Sequence, residues 1–349
     1  MKKLKKNFKR FLWLVLFILL LSGIWYYDLL LYGIRQGYGQ IRLLWQTQSI
    51  QEILENPNTP DSLRQKLLLI QEIKKFAEDS LGIKKTNNYS TFYDQKGKPI
   101  LWVVSACKPY ALEPYEWNFG FLGKFSYKGH FNYENAVSDS IDLAQKGYDT
   151  DIGEVNAWST LGYFKDPILS SMLELSTGKL ADLIIHELTH TTLYVKNDVD
   201  FNENLATFIG RKGAKQFLAQ KFGKNSVEYV TYLAQLKDDS LFRNYILKAS
   251  EDLQNFYKNT TFQNLPDSLK NKRKQEKIRA LLLGLLDVPF EQRKYTYKKI
   301  QNWQVNNTFF MWYIRYQSQQ ESFEQALQTQ FKGNLKSYLE HLKTQYPSL

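Results

Sequence analysis

The pattern of apolar and polar positions separates an apolar N-terminal run from a much longer amphipathic region. From Phe11 to Tyr27 the sequence FLWLVLFILLLSGIWYY is apolar or aromatic except at Ser22 and Gly23. A run of this length is at the short end for a helix that spans a membrane, and it is long for the apolar core of a cleaved signal peptide. The run therefore predicts an uncleaved N-terminal transmembrane helix, with a cleaved signal peptide as the alternative.

The amphipathic region predicts many helices around a few strands. Apolar residues at helical spacing indicate one helix over 28–57 and another that starts at the sequence TPD (59–61), with threonine as cap and proline in the first turn. Strands are predicted in PILWVVSA, YEWNFGFLGKF and GEVNAWSTLGYF. A helix ending at Gly147, a helix carrying HELTH and an almost wholly helical sequence after Gly210 complete the pattern. The expected fold class is α+β, predominantly helical, with a small mixed sheet.

Charge is concentrated at the start of the chain. The first ten residues, MKKLKKNFKR, contain six lysines and arginines and no acidic residue. Basic residues beside a membrane helix stay in the cytosol, so the tail is expected to be cytoplasmic and the rest of the chain to be exported. Without the tail, the 46 basic residues become 40 against 35 acidic ones, and the net charge falls from +11 to +5. This mild excess does not indicate nucleic-acid binding.

Cysteine and histidine, which commonly bind zinc, are rare in this chain. The chain has one cysteine, Cys107, and four histidines. A single cysteine makes no intramolecular disulfide, and Cys107 lies at a predicted strand, where a buried thiol is expected. Because no histidine is placed to activate it, metal ligands are sought among histidines and carboxylates. His130 and His341 are interpreted as plain polar residues.

The sequence HELTH at 186–190 places two histidines four residues apart on a predicted buried helix. Residues four apart on a helix differ by about 40° in direction, so His186 and His190 can bind one metal ion. Glu187 points about 100° away from His186, beside the ion, where it can take a proton from a bound water. This arrangement predicts a metal site rather than two unrelated surface histidines.

A hydrolytic zinc site needs a third protein ligand and an open fourth position. Glu203, in the sequence FNENLA, is the candidate. The motif helix is expected to end near Asn197 and Asp198. Asp200 or Asn202 is then expected to start a second helix that turns Glu203 back toward the histidines.

Long stretches of the sequence resemble one protein family. Similarity to the putative aminopeptidase family of bacterial membrane-associated proteins extends over ADLIIHELTHTTLYVKNDVDFNENLATFIG, YYDLLLYGIRQGYGQIRLL, KGYDTDIGEVNAWSTLGYFKDPILSSML and VNNTFFMWYIRY. The resemblance implies a gluzincin-like metallopeptidase, with a zincin-like core of small mixed sheet and motif helix flanked by further helices. It implies that Zn2+ is held by His186, His190 and Glu203, and that Glu187 is the catalytic acid.

Two features differ from the family pattern. Many members carry a lipoprotein cysteine after the apolar run, whereas LLLSGIWYY has none, so a protein helix is expected to anchor this chain. The twelve residues between His190 and Glu203 are also fewer than in thermolysin-type gluzincins. This difference leaves Asp198 and Asp200 as weaker alternatives to Glu203.

Four further residues are candidates for binding a peptide. Asn156, Ala157 and Trp158 resemble the edge strand with which thermolysin-type gluzincins pair the substrate backbone. An ordinary sheet strand is the alternative interpretation. Glu154, just before this strand, is the candidate for binding the free amino terminus that an aminopeptidase must recognise.

A tyrosine or histidine usually helps a zinc ion to stabilise the oxyanion. Tyr163, Tyr194 and Tyr316 are the candidates for this role. Asn306 and Asn307 lie near Tyr316 in an otherwise apolar segment. Because unpaired amides are costly there, these asparagines indicate polar surroundings.

The expected function is a membrane-anchored zinc-dependent peptidase that acts on peptides or proteins. An aminopeptidase is expected, with an endopeptidase also possible. A non-catalytic envelope protein with a structural zinc site is the alternative. The expected organisation is a cytoplasmic tail (1–10), a single-pass inner-membrane anchor (11–27) and a periplasmic domain (28–349), itself composed of a helical lead-in (28–95), a zincin core (96–210) and a helical C-terminal part (211–349).

Overall fold

The computed structural model describes Trp13 and residues 26–120, 123–155, 165–196, 198–291, 297–317 and 319–346. None of the helices within these ranges has the length and apolar character needed to cross a membrane. The transmembrane helix predicted over 11–27 falls almost entirely outside the described residues.

The chain begins with helices that are interrupted by a short strand. The single helix expected over 28–57 is wrong, because two residues in its middle pair as a strand with Phe92 and Thr91. Strand pairing there replaces helical hydrogen bonds. The elements are helix α1 (Tyr27–Trp45), strand β1 (Gln48–Ser49), helix α2 (Ile50–Glu55) and helix α3 (Asp61–Ser80).

Helix α3 packs one face into the core. Its start differs from the prediction, since Pro60 occupies the capping position and the hydroxyl of Thr59 donates instead to the carbonyl oxygen of Ile53 at 2.6 Å. The apolar residues at helical spacing are fully buried, as their pattern predicts: Leu67, Ile70, Ile73 and Ala77.

The strands form small sheets. In one sheet β2 lies between antiparallel β1 and parallel β8, and in a second β3 lies between antiparallel β6 and β7. In a third, β4 and β5 pair antiparallel, so the sequence YEWNFGFLGKF contains two short strands rather than the one predicted. The predicted buried strand PILWVVSA is confirmed as β3. Of the strand expected in GEVNAWSTLGYF, Gly153 and Glu154 belong to β7, which starts at Asp149 opposite Cys107, and residues 156–164 lie outside the described residues. The strands are β2 (Thr91–Tyr93), β3 (Trp102–Cys107), β4 (Trp117–Asn118), β5 (Lys124–Phe125), β6 (Tyr127–His130), β7 (Asp149–Glu154) and β8 (Ile168–Leu169).

Helix α4 (Tyr133–Gln145) covers the β6-β3-β7 sheet. It ends two residues before Gly147, whose φ of +86° reverses the chain into β7. Two helices then pack along each other, α5 (Thr177–Thr192) and α6 (Val199–Lys221). Helix α6 passes Gly210 without interruption.

The remaining chain is helical. Asn306 and Asn307 attach it to the β3-β7 sheet: the Asn306 amide donates to Thr150 O at 2.9 Å, and the Asn307 amide donates to Lys108 O at 2.9 Å. Tyr257 donates to Asn307 Oδ1 at 2.7 Å, so both asparagines are paired. The helices are α7 (Val227–Lys258), α8 (Thr260–Gln263), α9 (Asp267–Leu283), α10 (Tyr297–Asn302), α11 (Asn307–Gln317), α12 (Gln320–Phe331) and α13 (Leu335–Gln345).

Two apolar clusters hold these elements together. The larger lies among α3, α5, α6 and α13, and the smaller among α7, α9 and α11. The thiol of Cys107 is buried as expected, and burial raises its pKa to about 12. The chain is mainly helical with small mixed sheets, which agrees with the expected α+β class.

Candidate metal centre

The motif helix α5 buries an apolar face and leaves its polar residues toward α6. Leu180, Ile184 and Leu188 are fully buried, while His186 and Glu187 are only partly buried. The same helical spacing that sends the leucines into the core leaves His186 and Glu187 partly exposed, whereas His190, one turn later, is buried.

The loop after the motif is held by one amide side chain. Asn202 accepts a hydrogen bond from Val195 N at 2.8 Å and donates one to Val195 O at 2.8 Å. This pairing keeps the backbone extended, so α5 ends at Thr192 rather than near Asn197 and Asp198 as predicted.

Helix α6 starts slightly earlier than expected. Asp198 is its cap, with its carboxylate accepting a hydrogen bond from Phe201 N at 3.0 Å. The predicted starting residues, Asp200 and Asn202, already lie inside the helix. Because the Asp198 carboxylate is engaged in capping, it is a poor alternative ligand to Glu203.

Three side chains from the two helices converge. The Nε2 atoms of His186 and His190 are 3.2 Å apart, and Glu203 places its carboxylate oxygens 3.4 Å from the first and 3.6 Å from the second. Ligands of a tetrahedral zinc ion at ordinary bond lengths are about 3.4 Å apart. The two Glu203 distances are to different oxygens, but one donor atom from each of the three side chains lies within 4.8 Å of the others, so the three can face one ion; they are the group of this kind found within the described residues.

The charges at this centre favour a cation. Burial opposes ionisation of Glu203, but the charges and hydrogen bonds of His190 and His186 hold its pKa well below the usual range. Burial also disfavours protonated His186, yet Glu203 and Glu187 raise its pKa above the ordinary value. Two imidazoles and an ionised carboxylate that face one point suit a divalent ion.

Tyr89 is a neighbour of Glu187 that the sequence analysis did not single out. It is buried, and its φ of 60° is unusual for a residue other than glycine. Burial, and after it the charges of Glu187 and Asp166, raise the pKa of Tyr89 well above its ordinary value. The phenol of Tyr89 is therefore neutral at ordinary pH, and the charge of Glu187 acts on it.

Two asparagines on either side of Glu203 fix its helix. Asn202 holds the preceding loop, as described above. Asn204 is fully buried and accepts a hydrogen bond from Gln319 N at 3.0 Å, while its carbonyl oxygen accepts one from the side chain of Gln320 at 2.9 Å. The sequence NEN could have indicated these contacts, because buried amide side chains need hydrogen-bond partners.

The two helices approach closely at Gly210. A methyl group there would lie 2.8 Å from the carbonyl oxygen of Asp182 and 3.2 Å from the Cβ atom of His186. Glycine inside a helix costs about 1 kcal/mol relative to alanine, so its presence at this point indicates a packing requirement.

Replacing Gly210 with alanine is expected to destabilise the fold by about 1–3 kcal/mol and to weaken zinc binding at least tenfold. The added methyl group must push α6 away from α5 and so separate Glu203 from the histidines. The measurements are thermal unfolding and zinc titration. Gly37→Ala in α1, where nothing lies within 4 Å, is the matched control and should leave zinc binding unchanged. Equal zinc affinity in the two variants would contradict the packing argument.

The other predicted residues have different positions. Glu154 is the last residue of β7 and is exposed. Tyr194 lies at the centre, with its ring edge-on to His190 at 6.1 Å between centroids. Four predictions, Asn156, Ala157, Trp158 and Tyr163, fall outside the described residues, and so does the side chain of Tyr316.

The two remaining histidines are engaged elsewhere. His130 ends β6 and pairs with Asp139 at 2.8 Å, and Asp139 also binds Lys128 at 2.7 Å. His341 packs its ring against Phe331, with 5.1 Å between centroids. Neither belongs to the three-donor group.

Comparison with known proteins gave one match. A family model described as "Putative aminopeptidase" matches residues 31–346. No curated protein and no solved structure matched the chain.

Proposed function

This chain belongs to the "Putative aminopeptidase" family, and we propose on that premise that it is a membrane-anchored, zinc-dependent aminopeptidase. Family membership supports a peptidase with peptide substrates. The zinc dependence, the end preference and the membrane location are the steps that the proposal adds.

The observation that carries the proposal is the spacing of the three donors. We assign His186, His190 and Glu203 as the residues that hold the ion, because one donor atom from each lies within 4.8 Å of the others. Within the described ranges, three protein residues supply donors at this point. Three protein ligands are typical of a catalytic zinc site, whereas a structural zinc site typically has four. When bound, the ion supplies a Lewis acid that polarises the scissile carbonyl and lowers the pKa of the attacking water.

Glu187 is proposed as the general base. Its partly buried carboxylate takes a proton from the attacking water and passes it to the nitrogen of the leaving amine.

The residues around the peptide are proposed as follows. Tyr194 has its ring beside that of His190 and is proposed to stabilise the oxyanion, and Tyr163 and Tyr316 are the further candidates. Glu154, exposed at the end of β7, is proposed to bind the free amino terminus. Substrate-backbone pairing is proposed for Asn156, Ala157 and Trp158, which follow Val155 in the sequence after β7.

The location follows from the sequence. The basic tail (1–10) is proposed to lie in the cytoplasm, the apolar run (11–27) to anchor the chain in the inner membrane, and residues 28–349 to face the periplasm. A zincin-like core of the gluzincin type is proposed for 96–210, between a helical lead-in (28–95) and a helical C-terminal part (211–349).

The test is peptide cleavage by the full-length protein in detergent. A peptide library is offered with free and with acetylated amino termini, before and after a chelator, and again after zinc is restored. We expect removal of N-terminal residues from free peptides only, loss with the chelator and recovery with zinc. Cleavage that survives chelation would refute the zinc mechanism. Equal cleavage of acetylated peptides would indicate an endopeptidase, and bound zinc without any cleavage would indicate a structural site.

A further inference from the structure

Helix α1 exposes a continuous row of large apolar side chains, here called the outer stripe. Successive members are three or four residues apart, so they lie within a sector about 80° wide on one side of the helix. Each of these side chains is between 50% and 85% exposed. Single exposed apolar residues are common on protein surfaces, but a contiguous apolar patch indicates an interaction site. The members are Tyr27, Leu30, Ile34, Tyr38, Ile41 and Trp45.

The opposite side of α1, toward the protein, is largely polar over its first half. Tyr32 donates its hydroxyl to Gly129 O at 3.0 Å, and Gln36 donates its amide to the same oxygen at 2.8 Å. Gly39 lets the ring of Phe131 approach the helix. Near its C-terminal end α1 also buries Leu43 in the core, so the helix is apolar on two sides. The exposed apolar row on its outer side indicates an apolar phase outside the fold.

The sequence before α1 indicates what that phase is. The apolar run proposed as the anchor ends at Tyr27, which is the first residue of both α1 and the outer stripe. No linker therefore separates the stripe from the bilayer surface. Tyr26, the cap of α1, has a φ of −103° and a ψ of 20°, outside helical geometry.

The residue types of the stripe suit a lipid surface. Its tyrosines and tryptophan have a polar atom on an apolar ring, which favours the boundary between acyl chains and headgroups. Arg35 and Arg42 are exposed beside the stripe, where they can contact anionic phosphates.

A second copy of the chain is a less suitable occupant. Helix α1 has 19 residues. Such a helix is about 28 Å long and about 10 Å wide, which gives a footprint of about 300 Å². Stable protein interfaces bury roughly 800 Å² on each partner.

We propose that the outer stripe of α1 lies in the headgroup region of an anionic phospholipid bilayer, so that α1 rests on the membrane beside the anchor. The inference depends on the membrane anchor proposed above. It assigns a second, surface-bound contact that the anchor alone does not require.

The test uses fluorescence of an environment-sensitive label on single introduced cysteines. The native Cys107 is buried and its pKa is about 12, so it should not react with a thiol reagent at neutral pH. Full-length protein is reconstituted in vesicles of phosphatidylethanolamine and phosphatidylglycerol that contain spin-labelled acyl chains. Ile34→Cys and Ile41→Cys report on the stripe. Asp28→Cys reports on an exposed polar position of the same helix, and Gln46→Cys reports on the exposed polar residue that caps its end. Trp13→Cys reports on the anchor.

Labels at positions 34 and 41 are expected to emit at shorter wavelength and to be quenched by spin-labelled lipid at least twofold more than labels at 28 and 46. Equal, water-like emission at all four positions would overturn the proposal. Shorter-wavelength emission without lipid quenching would also overturn it, because another protein surface would then cover the stripe. Quenching at position 13 alone would leave the anchor supported and the surface contact refuted. Lack of quenching at position 13 would refute the anchor itself.

Discussion

Glu187→Gln is expected to lower peptide hydrolysis by about a hundredfold to ten-thousandfold while the metal stays bound. Glutamine preserves the shape of the side chain but cannot accept the proton of the attacking water. The three ligands, His186, His190 and Glu203, are unchanged, so the metal content should equal that of the wild type. Hydrolysis of a peptide that the wild type cleaves and zinc content by elemental analysis are measured on the same preparation.

The matched control is Glu174→Gln, an exposed glutamate just before α5 that lies outside the three-donor group. It should retain wild-type hydrolysis. Full activity in Glu187→Gln would disprove the role of Glu187 as general base. Loss of zinc in that variant would show instead that Glu187 supports the ligands rather than the proton transfer.

His190→Ala is expected to abolish stoichiometric zinc binding. The change removes one of three donors and leaves Glu203 facing only His186 among the assigned ligands. A ligand present at a thousand times its dissociation constant stabilises a fold by about 4.1 kcal/mol, so the variant should also lose the zinc-dependent rise in unfolding temperature. Elemental analysis and thermal unfolding with and without zinc measure the two effects.

His341→Ala is the control for this change, because His341 lies on α13 and packs against Phe331 rather than at the centre. It should bind zinc as the wild type does. If His190→Ala retained one zinc per chain, His190 would not be a ligand and the assignment of the centre would have to change.

The convergence of the two histidines was predictable because it depends only on helical geometry. Residues 186 and 190 share a face of any helix, and the buried leucines and isoleucines around them made a helix the expected element. Glu203 was reachable by a weaker argument, since a reversal after the helix had to bring it back. The reversal exists, although it begins earlier and is longer than the sequence indicated, because α5 ends at Thr192 and α6 starts at Val199.

Contacts between residues that are distant in the sequence could not be predicted at this site. The early end of α5 depends on Asn202 binding the backbone of Val195, and the close approach of α6 depends on Gly210 facing Asp182. Neither follows from local propensity or spacing. The charge of Glu187 raises the pKa of Tyr89, although the two residues are almost one hundred positions apart. A pattern within one helix contains no information about such a distant residue.

The same limit applies to the fold. The helices predicted by the pattern over 28–57 are present at both ends of this segment. Between them β1 forms, because β2 provides a pairing edge about forty residues later. Tertiary pairing overrode the local preference there. In contrast, α3 and β3 were predicted well, since each buries a face that its own sequence marks clearly.

The contact between Asn204 and Gln319 has a consequence for biosynthesis. The two residues are 115 positions apart, and Asn204 adjoins the ligand Glu203. A chain emerging from the ribosome therefore presents the histidines and the glutamate long before the segment that satisfies the buried amide beside them. Because domains fold as their sequences become available, the metal centre reaches its final rigidity only near the end of synthesis. Late completion of this kind would delay activity until the C-terminal helices have been made.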